Sequence, residues 1–254
     1  KKTLSTGNSM VDRVQKFVDC RSKDTSEREL YIVEGDSALG SCKLARDAAF
    51  QAIMPVRGKI LNCLKAEYDK VFKSEIITDL LKVLGCGVEV QGKKAKELSS
   101  FDIDNLRWNK VIICTDADVD GYQIRTLILT MIYRLMPTLI SEGKVYIAES
   151  PLYEIRHKDE VWFAYTEKEK SDVLEELGDK KYTIQRSKGL GENDADMMWL
   201  TTMNPKTRRL IQIRPTDAEA TAAQFDMLLG DNLQGRKEHI ATDGHLFLDM
   251  TDLS

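Results

Sequence analysis

Val111-Ile-Ile-Cys-Thr-Asp116-Ala-Asp118-Val-Asp120-Gly121 is an apolar run that breaks into three carboxylates within five residues. A short run of β-branched residues bounded by polar ones reads as a buried strand. In an open α/β sheet, ligands bind beyond the carboxyl ends of the strands. Three acids crowded at such an end repel one another unless a cation neutralises them, so the stretch outlines a divalent-metal site. A second run, Leu30-Tyr-Ile-Val33, ends in Glu34-Gly35. Two strand ends therefore offer carboxylates to one place.

Outward from these two strands the pattern alternates. Asp36 or Ser37 caps an expected helix reaching about Phe50, with Leu39, Cys42, Ala45 and Ala49 on one face. Ala52-Ile-Met-Pro-Val56 is a second short strand, followed by the basic turn Arg57-Gly58-Lys59. Helical spacing predicts a helix over 65–84, ended by Gly85 and Gly87. After the acids, Ile124, Leu127, Ile128, Met131, Ile132, Leu135 and Leu139 mark one face of a strongly periodic helix. Lys144-Val-Tyr-Ile-Ala148 supplies a further strand. Alternating βα units argue for a parallel sheet with helices on both faces. Beyond Pro151 the sequence predicts strands at 152–155 and 161–165, a charged helix over 167–177, a glycine loop at Lys188–Glu192 and later helices. The expected organisation is a linker over 1–28, an α/β domain over 29–149 and an α+β tail over 150–254.

The 254 residues hold ample core for one large domain or two. Five cysteines, odd in number and without CxxC spacing, suggest reduced thiols rather than a disulfide framework or a zinc site. No apolar run approaches the ~20 residues of a membrane helix, and a cytoplasmic protein without membrane partners is expected. The start Lys1-Lys-Thr lacks a methionine, which predicts a piece of a longer polypeptide. The net charge of −4 hides a segregation. Residues 180–214 carry eight Lys or Arg against three Asp or Glu, and residues 215–254 carry two against eight. A concentrated basic stretch can track a phosphate backbone despite an acidic whole; it can equally be a solvated face.

Two other sites share part of the acidic string. Asp-x-Asp-x-Asp-Gly opens a calcium-binding EF-hand loop, but the twelfth position, which must be a bidentate carboxylate, is Leu127. Asp116-Ala-Asp118-Val119 also fits a phosphatase pattern in which the first Asp is the nucleophile. That reading gives Glu34 no role. A solvated acidic turn capping the next helix accounts for any one aspartate, though less well for three together with Glu34. The histidines His157, His239 and His245 have no partners at ligand spacing. Met197 and Met198 beside Trp199 read as core or subunit interface.

Taken in order, the motifs resemble a known family. Glu34-Gly-Asp-Ser-Ala38 with Asp116-x-Asp118-x-Asp120-Gly121 is similar to the Toprim signature in B subunits of bacterial type IIA topoisomerases, the group holding DNA gyrase and topoisomerase IV. Arg46-Asp47, Phe50-Gln-Ala-Ile-Met-Pro55, Arg57-Gly-Lys-Ile-Leu-Asn62, Ile124-Arg-Thr-Leu127, Pro151-Leu-Tyr153, Gln185-Arg186, Lys188-Gly-Leu-Gly-Glu192 and Thr202-Met-Asn-Pro205 agree with it. The likeness spans nearly the whole chain. It departs at Leu39, where the family usually has glycine, at Ser187, usually aromatic, and at Asn193-Asp-Ala-Asp196, which lacks the common Met-Asn.

The resemblance implies a Toprim fold, a Rossmann-like parallel sheet with helices on both faces, followed by an α+β tail. It implies Mg²⁺, or another divalent cation, held by Glu34, Asp116 and Asp118. Asp120 is either a further ligand or an acid behind the ligands that caps the helix. Glu34 is implied as general acid to the 3′ oxygen in cleavage and general base in religation. Arg57 and Lys59 either contact DNA phosphate or satisfy neighbouring carboxylates; Arg186 and Lys188 are further candidate DNA contacts. The implied partners are double-stranded DNA and an A subunit carrying the nucleophilic tyrosine, in an A₂B₂ heterotetramer. ATP enters only through an N-terminal domain that nothing in these residues resembles, so this chain alone is expected to be inactive. The competing expectations are a stand-alone Toprim nuclease or primase, and a module that chiefly docks the A subunit.

Overall fold

A computed structural model describes residues 14–90, 100–187, 189–215 and 217–246. Its sheet is built from the apolar runs noted above: β1 (Glu29–Glu34), β2 (Gln51–Val56), β3 (Lys110–Cys114) and β4 (Val145–Ala148). They lie side by side in the order β2-β1-β3-β4, all parallel. The chain adds β2 on one side of β1 and β3 then β4 on the other, so the topological switch lies between β1 and β3. That is the crevice where such sheets bind ligands.

Side chains alternate across the sheet and meet a different layer on each face. Leu30, Ile32, Met54, Val111 and Ile113 pack with α3 (Glu75–Leu84) and α4 (Val119–Leu135). Tyr31, Val33, Ile53, Ile112 and Cys114 pack with α1 (Gly35–Ala45) and with Leu190, Met198 and Met203 of the tail. Met197 and Met198 are buried within this chain. The five cysteines are free and buried.

Several boundaries differ from the sequence expectation. The helix expected to reach Phe50 stops at Ala45, because Arg46 turns extended and its guanidinium binds the carbonyl oxygens of Val18, Asp19 and Gln51. The helix expected over 65–84 is two pieces, α2 (Tyr68–Val71) and α3, since Ser74 adopts an extended conformation between them. Leu139 lies beyond Pro137, in the single turn α5 (Thr138–Ser141), rather than on the long helix.

The tail forms a separate antiparallel sheet, β6-β5-β7, from β5 (Tyr153–His157), β6 (Glu160–Ala164) and β7 (Thr183–Arg186), with α6 (Glu167–Leu177) beside it. After α7 (Ala195–Met198), the chain returns to the first sheet. There β8 (Leu210–Gln212) pairs antiparallel with β4, so the sheet is mixed rather than wholly parallel and is not confined to residues 29–149. Two helices, α8 (Ala218–Leu229) and α9 (Leu233–Asp243), follow and bury none of their residues fully. Among the described residues no helix is long and apolar enough to cross a membrane.

The tail is clamped to the amino ends of the strands by a buried ion pair. Both Arg208 guanidinium nitrogens reach Glu29, one at 2.6 Å, and the side chains are only 5% and 4% exposed. Gln51 donates to Glu29 at 3.1 Å and to the Met203 carbonyl at 2.7 Å. The Tyr31 hydroxyl accepts from Arg208 at 2.8 Å and donates to the Thr202 carbonyl at 2.9 Å. Burial pushes the Glu29 carboxyl up, but the hydrogen bonds and charge of Arg208, with Gln51 and Lys110, outweigh it and hold the group below its ordinary range.

Candidate metal centre

The same strands carry a different kind of charge at their carboxyl ends. Val33 of β1 pairs with Cys114 of β3, which brings Glu34 beside Thr115 and Asp116. The Asp116 N–H points at Glu34 Oε2 across 3.4 Å. Gly35, at φ +75°, supplies the left-handed turn from β1 directly into α1. Asp118 caps α4, its Oδ1 accepting from Gly121 N–H at 2.7 Å. Gly121 is required by crowding, since a Cβ there would lie 2.2 Å from the Asp116 carbonyl oxygen.

Cations stand outside the cluster. Lys59 Nζ is 2.8 Å from Asp120 Oδ1, and Arg57 Nε is 3.6 Å from Asp36 Oδ1, an acid that Lys16 also binds. Glu34 and Asp116 have no such partner among the described residues' ion pairs. Burial, then the charge of Asp116, lifts the Glu34 carboxyl above its ordinary range, and Asp118 and Asp120 add to the effect. Burial likewise lifts Asp116, against a hydrogen bond from Leu190 N–H and with help from Asp118 and Glu192. Glu34 and Asp116 thus meet, Asp118 and Asp120 are near enough for their charge to act on Glu34, Lys59 pairs with Asp120, and Arg57 reaches only the neighbouring Asp36. Arg186 ends β7 in the second sheet, on a cleft shared with Glu154, Glu192 and Asn193. Lys188 lies outside the described residues.

Whether these residues suit a cation turns on donor chemistry. All four offer carboxylate oxygen, the donor that hard divalent ions take. Among the described residues, however, no group of three or more His, Cys, Asp or Glu is already arranged around a single point. Asp118 is turned to its helix cap and Asp120 to Lys59. Mg²⁺ does not demand a ready cage; it keeps several waters and is held through one or two carboxylates with substrate phosphates. Glu34 and Asp116 supply that minimum, so the donor set fits.

One feature of the site has only a faint sequence signature. The loop Gly189-Leu190-Gly191 crosses from the tail onto the acidic edge, and Leu190 N–H donates to Asp116 Oδ1 at 2.8 Å. A backbone donor leaves no side-chain trace; only the flanking glycines hint at close approach.

A parallel sheet with acids ending β1 and β3 at its switch point defines a Toprim-type α/β protein. Comparison with known families agrees: residues 29–150 match the Toprim domain, and residues 179–241 match the DNA gyrase B subunit carboxyl terminus. The chain is 49% identical over 227 residues to the DNA gyrase B subunit of Clostridium acetobutylicum. It is 45% identical over 225 residues to that of Thermotoga maritima, and 45% over 225 to that of Archaeoglobus fulgidus. Each alignment covers 89% of this chain and 34% of the relative, so the chain spans about a third of the length of the curated relatives it matches. It belongs to the DNA gyrase B-subunit family, of which it comprises the Toprim domain and the following tail.

Proposed function

We propose that this chain provides the divalent-cation half of a DNA cleavage and religation centre in a type IIA topoisomerase. The observation that carries the reading is the meeting of Glu34 and Asp116 at adjacent parallel strand ends, with Asp118 and Asp120 beside them and, among the described residues, without a protein cation paired to the first two. Glu34 and Asp116, joined by Asp118 and Asp120, would hold Mg²⁺. When bound, the ion offsets charge on the phosphate and on the leaving oxygen.

The chain's own groups have distinct tasks. Glu34, projecting from a rigid strand end, gives a proton to the departing 3′ oxygen and takes it back in religation. Asp116 is held through Oδ1 by the Leu190 amide, which leaves Oδ2 without a hydrogen-bond donor among the described residues. Arg57 and Lys59 exchange their acidic partners for DNA phosphates; their ion pairs are half-exposed and contribute little to hold them back. Arg186 and Lys188 are further DNA contacts. The nucleophilic tyrosine comes from an A subunit, and the whole works as an A₂B₂ assembly with ATP bound on another part of the full-length polypeptide. Helices α8 and α9, which expose Leu228, Leu233 and Ile240, support a partner at that end.

The test is Mg²⁺-dependent cleavage and relaxation of supercoiled plasmid by the full-length protein with its A subunit. Glu34→Ala and Asp116→Asn are expected to assemble normally and lose cleavage by about 100-fold or more, the scale of a missing acid-base group. Normal cleavage by both variants would make the cluster structural. Loss of assembly would favour the docking role, and cleavage by this chain without a partner would favour a stand-alone nuclease.

A further inference from the structure

We propose that the tail loop at Gly189-Leu190 is a positioning element of the metal centre, setting the orientation of the Asp116 carboxylate and thereby the affinity for the cation. The inference rests on the reading of Asp116 as a ligand. Three observations lead to it. Leu190 N–H donates to Asp116 Oδ1 at 2.8 Å, and the Leu190 side chain is 2% exposed in the core with Tyr31, Val33 and Cys42, so the donor cannot drift. Gly191 anchors the other side of the loop: a Cβ there would fall 2.5 Å from Ser37 Cβ, and its carbonyl accepts from Ser41 Oγ at 3.2 Å. Gly189 lies against the ligand itself, where a Cβ would come within 2.9 Å of Asp116 Oδ2 and 3.5 Å of its Cγ.

That last contact separates site from fold. Gly189 has φ −126° and ψ 157°, an extended conformation any residue adopts, so alanine brings no backbone strain. The atom it would meet is the end of a side chain, which can rotate away at little cost to the fold. Rotation breaks the Leu190 bond and turns the carboxylate from its place. Gly189→Ala should therefore leave a folded protein with a misdirected ligand.

Groups that hold metal ligands from behind typically affect affinity by 10- to 100-fold. The experiment is calorimetric titration of Mg²⁺ into this chain as wild type, Gly189→Ala and Asp116→Ala, with thermal unfolding of each measured without metal. The expected result is an affinity about tenfold weaker for Gly189→Ala at an unchanged unfolding midpoint, and binding abolished for Asp116→Ala. Unchanged affinity in Gly189→Ala, with binding abolished in Asp116→Ala, overturns the positioning role alone. Unchanged affinity in Asp116→Ala overturns the metal reading beneath it. Should Gly189→Ala unfold, Mn²⁺ added to wild-type chain labelled with ¹⁵N-leucine decides: selective broadening of the Leu190 amide is expected, and a Leu190 signal no broader than that of Leu177 refutes the proposal.

Discussion

Glu29 and Glu34 open and close the same six-residue strand, yet they are treated in opposite ways. Glu29 is buried, bound by both arms of Arg208, and held below its ordinary pKa. Glu34 is half-buried among other acids and held above it. Residue type and strand are the same; the neighbours differ. At the amino ends of the strands the buried acid is matched by an arginine, whereas at the carboxyl ends Glu34 and Asp116 have no ion-pair partner among the described residues. The tail reaches both, with a guanidinium at one and a backbone amide at the other.

The contrast breaks most readily at the amino end. Arg208→Ala leaves Glu29 buried and unpaired, and should cost about 3–5 kcal/mol in urea-induced unfolding. A loss of less than about 1 kcal/mol would mean that water or Lys110, 3.4 Å away, replaces the arginine. At the other end backbone crowding outweighs charge. Gly121→Ala places a Cβ against a carbonyl oxygen that cannot turn aside, and should cost about 1–3 kcal/mol by the same measurement.

Acidity gives the smallest and sharpest comparison. Because the folded Glu29 is more acidic than the unfolded one, its contribution is present above the unfolded value and is lost as pH falls through the folded one. Glu34 has the reverse sign: its folded value is raised, so its penalty is full above that value and is relieved as pH falls toward the unfolded one. Without divalent cations, lowering the pH from neutral should first raise stability slightly and then reduce it. Glu34→Gln should flatten the first limb, by less than about 1 kcal/mol, and leave the second in place. If the second limb also disappears, the two ends are coupled through the strand.

The comparison also marks how far the sequence could be read. Strands 30–33 and 111–115 with their terminal acids were legible because apolar runs and charges are local patterns. The break at Ser74 was hidden, since helical periodicity continues across it. β8 is three residues long, too short for alternation to announce, and it entered the sheet from a region that read as separate. The basic stretch at 180–214 looked like a single surface, but Arg208 is spent inside the protein and Arg209 pairs with Glu169 at 2.8 Å. Summed charge cannot reveal a cation buried against an acid 179 residues away. The Leu190 donor belongs to the backbone, where sequence carries no letter for it.

The double attachment of the tail, to Glu29 on β1 and to Asp116 after β3, has a consequence for synthesis. A ribosome delivers the chain from its amino end, and domains generally form in that order. Every acid of the proposed centre has emerged once residue 120 is out, but the amide that holds Asp116 arrives with residue 190 and the guanidinium that settles Glu29 with residue 208. A nascent chain therefore carries the full set of acids long before it can aim them. Translation itself would therefore order the assembly of the proposed centre, acids first and the amide that aims Asp116 later.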